Sequence, residues 1–140
     1  MGIWRYRDKH FKAIVADYFE CPFEAERYDA ALSFETLHHF PYEKKKRIYQ
    51  KLYRALKPGG YYIECDYMAC CAEEERLCLE QYEYKRKKSG LPGHVFVHLD
   101  IPLTLEHQVE LIRNGGFQSV DVLYQNGGTV ILRAEKSKTL

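Results

Sequence analysis

The sequence predicts an α/β domain built on a small open sheet, with one β-α-β unit and an antiparallel C-terminal hairpin. Three observations carry this reading. The apolar runs YDAALSF (28–34) and YYIECDY (61–67) flank a helical stripe, Ile48, Leu52, Ala55 and Leu56. Strand, helix and strand at this spacing make one parallel unit with a right-handed crossover. Near the C-terminus, Gln125-Asn126-Gly127-Gly128 separates FQSVDVLY (117–124) from TVILRA (129–134), and Asn-Gly between apolar runs signals a hairpin.

The elements follow in chain order. Residues 1–10 are basic and aromatic and read as the tail of a helix. FKAIVA (11–16) is a short apolar run ending at Asp17, read as a buried strand. YDAALSF, rich in small residues, suits a central parallel position. Pro41 opens the first full helix, whose early turns carry Lys44-Lys45-Lys46-Arg47. That run reads as a solvated face, since acidic residues balance it nearby. The helix stops before Pro58, and Gly59-Gly60 turns the chain into the next strand. Residues 70–89 read as a charged helix with Cys71, Cys78 and Tyr82 on one face. The stretch 90–103 is irregular. Thr104 caps a helix over 105–113, with Leu105, Val109 and Ile112 as its stripe and Asn114-Gly115 as its stop.

Composition sets outer limits. The chain has 140 residues, 46% hydrophobic and 29% charged, which fits one ordinary globular domain. Lys plus Arg is 21 and Asp plus Glu is 20, for a formal charge of +1, so no global field draws nucleic acid or an anionic membrane. No apolar run approaches the roughly 18 residues of a membrane span. The five cysteines, Cys21, Cys65, Cys70, Cys71 and Cys78, contain no C-x-x-C pair and read as reduced structural thiols of a cytoplasmic protein, with no metal expected.

Four segments, VADYFE, YDAALSFETLHHF, LKPGGYYIECDY and LTLEHQVELIRNGGFQSVDV, together resemble the class I S-adenosylmethionine-dependent methyltransferases in their small-molecule branch. They span nearly all of residues 11–134. The family fold is a doubly wound sheet ordered 3-2-1-4-5-7-6, with strand 7 antiparallel. The resemblance implies a partial Rossmann-like sheet here: family strands 3 to 7, mostly parallel, with the antiparallel hairpin and helices on both faces. It reads 1–140 as a single truncated methyltransferase domain, with 68–103 as a lid-like insert. The implied function is methyl transfer from S-adenosylmethionine to a small-molecule acceptor. Ligands in such sheets sit beyond the carboxyl ends of the strands, where Asp17, Ser33 and Asp66 fall.

The family's glycine-rich cofactor loop has no counterpart. The only glycine before Gly59 is Gly2. If 11–16 is strand 3, then strands 1 and 2 are missing, roughly 50 residues at about 30 per β-α-β unit. The strand at 28–34 is then left with an open apolar edge. Three outcomes stay open: 11–16 shifts across to pair with that edge, the chain forms a homodimer through it, or the sequence is a fragment of a longer protein. The rival function is accordingly a non-enzymatic interaction module pairing through 28–34.

The resemblance assigns roles to particular residues. Asp17 would accept from the adenine amino group and Tyr18 would pack on the ring; their plainer roles are a loop cap and a core tyrosine. Ser33, Phe34 and Glu35 fall where strand 4 opens onto the cofactor. His38 is a cofactor contact and, with Asp66, the catalytic candidate, because imidazole titrates nearest neutrality and suits proton removal from a nucleophile. The plainer role for His38 or His39 is packing against the next helix, and for Asp66 capping a loop. Tyr67, Tyr82, His94 and Phe96 are the substrate candidates, the last three lying with Tyr84 and His98 in an aromatic insert able to close over an apolar or cationic acceptor.

Overall fold

The computed structural model describes residues 10–138. Its elements are β1 (Tyr28–Phe34), a single 3-10 turn (Leu37–His39), α1 (Tyr42–Ala55), β2 (Leu56–Tyr67), α2 (Ala72–Ser89), α3 (Leu105–Asn114), β3 (Ser119–Asn126) and β4 (Thr129–Glu135). The helix tail read over 1–10 lies outside the described residues, apart from His10.

The four strands form one sheet ordered β1-β2-β4-β3. β1 pairs parallel with β2, and β4 runs antiparallel to both β2 and β3. This is the open α/β sheet the sequence predicts, with strands in the places expected for family strands 4, 5, 7 and 6. The hairpin closes through Gly127-Gly128 between the paired residues Asn126 and Thr129. Gly127 has φ +59, a left-handed value that glycine adopts without strain. Thr104 caps α3 as expected, its Oγ1 accepting from the His107 N–H at 3.3 Å.

The strand expected at 11–16 is not formed. Those residues are exposed and irregular, with Phe11, Ile14 and Val15 prominent at the surface. A strand exists only when its main-chain groups find an edge, and 11–16 does not shift across to β1. Among the described residues β1 therefore keeps an open outer edge, with Leu32 76% and Phe34 70% exposed.

One face of the sheet is covered. Leu56 and Tyr62 of β2 and Val130, Leu132 and Ala134 of β4 meet Ile48 and Tyr49 of α1, Leu111 and Ile112 of α3, and Phe117 in a single core. The buried side chains of the α-helices all come from α1 and α3; α2 contributes none. The expected second helical layer is thus not formed among the described residues. The reason is directional. From β1 to β2 and from β2 to β3 the chain steps outward the same way, and right-handed crossovers in one direction put their helices on one side. Tyr61 and Tyr67, on the opposite face of β2, stay partly exposed.

Lys45 overturns the solvated reading of the 44–47 run. It is buried, and its Nζ donates to the Ile101 carbonyl at 3.0 Å. Burial lowers its pKa from 10.5 to about 8, against the pull of Glu64, Asp66 and Glu75.

Candidate functional site

Two buried carboxylates leave β2 on its helical face. Glu64 sits deep. Its Oε1 accepts from Tyr49 Oη at 2.5 Å and Tyr62 Oη at 2.9 Å, and its Oε2 accepts from Gln108 Nε2 at 2.8 Å. Ser33 Oγ completes the set 2.6 Å from Tyr62 Oη. Burial raises the Glu64 pKa, and these donors oppose the rise. Nothing in the sequence flagged Glu64, because alternation alone does not say which face of YYIECDY meets the helices.

Asp66 lies two residues on, at the carboxyl end of β2. Its Oδ2 accepts the main-chain N–H groups of Leu37 and His38, both at 3.1 Å, and so fixes the 3-10 turn. Its Oδ1 accepts from the Tyr67 N–H at 2.8 Å and lies 2.5 Å from His38 Nδ1. With the Asp66 carboxylate as acceptor, Nδ1 is the donor, and the neutral imidazole then holds its lone pair on Nε2. The bond to Asp66 raises the His38 pKa, while burial opposes it. His38 and Asp66 are thus brought together, with Tyr67 at the rim, its ring 6.3 Å from that of His38.

His39 stacks beside His38 with ring centres 3.9 Å apart and meets His98 edge-on at 4.4 Å. Asp100, 60% exposed in its side chain, reaches both histidines: its Oδ1 is 3.1 Å from His39 Nδ1 and 3.6 Å from His38 Nε2. Two bonds to its neighbour pin this loop. The Ile101 N–H donates to the His38 carbonyl at 2.7 Å, and Lys45 holds the Ile101 carbonyl. The sequence reading did not single out Asp100; its approach to His38 is purely tertiary.

The cofactor candidates divide. Tyr18, Ser33 and Phe34 line one cleft of about 320 Å³ at the open side of β1, with Leu32, Thr36 and Leu37. Tyr18 Oη is 2.6 Å from Thr36 Oγ1, and burial raises its pKa. Lys51 Nζ secures the segment by donating to the carbonyls of Tyr18, Phe19 and Cys21. Asp17 and Glu35 do not line the cleft. Asp17 Oδ1 accepts from the Phe19 N–H at 2.8 Å, the loop-cap role, and Glu35 adopts φ +45 at the end of β1. Of the substrate candidates, Phe96 packs 5.4 Å from Phe40 and 6.4 Å from His39. Tyr82 lies apart on α2, its ring 6.0 Å from the Arg86 guanidinium, and His94 is exposed.

The described residues fit one end of S-adenosylmethionine. The cleft is lined mainly by apolar side chains with the Tyr18 ring, the kind of surface an adenine ring packs against. No glycine turn borders it: the first described glycines, Gly59 and Gly60, lie at the opposite, amino end of the β2 ladder. The ribose and methionine ends therefore find no counterpart among the described residues.

Residues 4–63 match the family described as "Methyltransferase domain". A sterol methyltransferase-like protein of Botryococcus braunii is 40% identical over 56 residues, covering 40% of this chain and 14% of the relative. A tRNA (carboxymethyluridine(34)-5-O)-methyltransferase of Arabidopsis thaliana is 39% identical over 57 residues, 40% of this chain and 14% of its own. The chain thus matches only about a seventh of the length of these curated relatives. Among solved structures, a SAM-dependent methyltransferase of Methanosarcina mazei superposes with TM-score 0.63 at 16% identity, covering 89% of this chain and 66% of that one. Human N-acetylserotonin methyltransferase does so with TM-score 0.62 at 18% identity, over 96% and 38%. These superpositions confirm the fold.

Proposed function

From the premise that residues 4–63 carry part of a methyltransferase domain, we propose that the chain forms the acceptor side of an S-adenosylmethionine-dependent methyltransferase acting on a small molecule. The observation that carries this is the His38–Asp66 pair together with the cleft of Tyr18, Ser33 and Phe34, with Ser33, Phe34 and Asp66 at the carboxyl ends of β1 and β2. Bound S-adenosylmethionine would supply an electrophilic methyl group on a sulfonium. Tyr18 and Phe34 would hold the adenine end. Asp66 fixes the His38 tautomer, so that Nε2 can take the proton of an acceptor hydroxyl or amine. Phe96 and Tyr67 would border the acceptor. Matched relatives are named for sterol, squalene and tRNA acceptors; the balanced charge of this chain favours the small molecule.

Calorimetric titration with S-adenosylhomocysteine tests the reading. Micromolar binding that weakens at least tenfold in Tyr18→Ala supports it. Absence of binding by the folded chain overturns the cofactor role of this cleft. The exposed Leu32 and Phe34 favour a second reading, an interaction module that pairs through β1. A concentration-dependent dimer in sedimentation, abolished by Leu32→Lys, would support that one; a monomer throughout would end it.

A further inference from the structure

Beside the acceptor pocket, three ligand-bearing side chains converge on one point. His38, His39 and Asp100 each offer one ligand atom within 4.8 Å of the others, and Asp100 Oδ1 lies 3.1 Å from His39 Nδ1 and 3.6 Å from His38 Nε2. Two of the three separations, 3.1 and 3.6 Å, bracket the spacing of about 3.3 Å that donors show around a tetrahedral ion with bonds near 2.0–2.1 Å.

Three further observations point to a cation. His39 Nδ1 is a buried atom with no hydrogen-bond partner, although it stands 3.1 Å from Asp100 Oδ1. A buried polar atom in that position needs an explanation, and an unseen ion is one of the few. Next, the second nitrogen of His38 is bonded to Asp66. Imidazoles that ligate metals almost always donate their other N–H to a carboxylate or carbonyl, which fixes the tautomer and raises ligand basicity. Finally, the loop bearing Asp100 is pinned by the Ile101–His38 main-chain bond, so the third ligand is held in place.

We propose that His38, His39 and Asp100 form a binding site for one first-row divalent transition-metal ion of the zinc class. Two imidazoles and a carboxylate suit such an ion better than magnesium or calcium, which take oxygen ligands. Three protein ligands leave a coordination position open to water or to an acceptor heteroatom. His98, edge-on to His39, borders that position. The site stands on its own geometry and does not depend on the methyl-transfer reading. A metal on His38 Nε2 excludes a proton there, so the ion and the proton-acceptor role of His38 are alternative states of one nitrogen.

The experiment is a titration of the metal-stripped chain with cobalt(II), read by visible absorption, and with zinc, read by calorimetry. One equivalent is expected, with the intense visible bands of four-coordinate cobalt. Asp100→Asn leaves the core untouched and is expected to weaken binding 10- to 100-fold, with circular dichroism unchanged. His39→Ala is expected to abolish the bands. The exposed thiols of Cys70 and Cys71 are the competing ligands, so the titration is repeated in the Cys70→Ser/Cys71→Ser variant, which is expected to bind as the parent does. No stoichiometric binding, binding lost with the cysteines, or binding unaffected by Asp100→Asn would each overturn the site. Loss of S-adenosylhomocysteine binding in Tyr18→Ala, with cobalt bands intact, separates this site from the cofactor cleft.

Discussion

Glu64 and Asp66 are the same kind of group on the same face of the same strand, two residues apart, yet their surroundings assign them different work. Glu64 is closed in by two phenols and an amide, so all its partners are spent inside the core. Asp66 spends its oxygens on a turn and on one nitrogen of His38, whose other nitrogen faces the exposed Asp100. Depth along the strand separates them: the middle of β2 lies under α1 and α3, and its carboxyl end lies at the rim. A buried carboxylate is a structural element when its network closes and a chemical one when the network ends at an open atom.

Substitutions can break or sharpen that contrast. Glu64→Ala leaves the buried Tyr49 hydroxyl without its acceptor and takes one partner each from Tyr62 and Gln108, which keep Ser33 Oγ and Tyr49 Oη. It should cost about 4 kcal/mol in urea unfolding, the largest effect, while leaving cobalt binding intact in the folded fraction. Next comes Lys45, the cation that both carboxylates attract. Its pKa is about 8 folded against 10.5 as a free side chain. Between those values the unfolded chain binds more protons, so this group makes stability rise with pH, by about 2 to 3 kcal/mol from pH 7 to 10. Lys45→Met should remove that rise, measured as the difference between the two proteins' unfolding free energies across the range. Asp66→Asn should cost about 2 kcal/mol by weakening the bonds that hold the turn, and it should weaken cobalt binding as well, which Glu64→Ala does not. Ser33→Ala removes one of the Tyr62 contacts and should cost about 1 kcal/mol with no change in the cobalt titration.

Much of this was legible in the amino-acid order. Apolar runs on either side of a helical stripe predicted β1 and the 61–67 part of β2, Thr104 predicted a cap, and Asn126-Gly127 predicted the hairpin. His38 and Asp66 are each legible as candidates near strand ends, though their contact is not. What escaped was tertiary. FKAIVA has the composition of a strand but no edge to join, and composition does not report edges. Lys45 stands in a charge run whose neighbours are solvated, and only the packing of the Ile101 segment over α1 buries it. Asp100 meets His38 because one main-chain bond draws two distant loops together, which local pattern cannot show.

The order β1-β2-β4-β3 also sets a gradient of local opening. β2 and β4 are hydrogen-bonded on both sides, whereas among the described residues β1 has a ladder on one side only. Amide deuterium uptake should therefore be slowest along Tyr62–Asp66 and Val130–Ala134, where exchange waits for global unfolding. Along β1 it should be fast on the outward side. The wall that carries Ser33 and Phe34 is then the part of the sheet that opens first, so anything that seats against it would be read directly as protection of those amides.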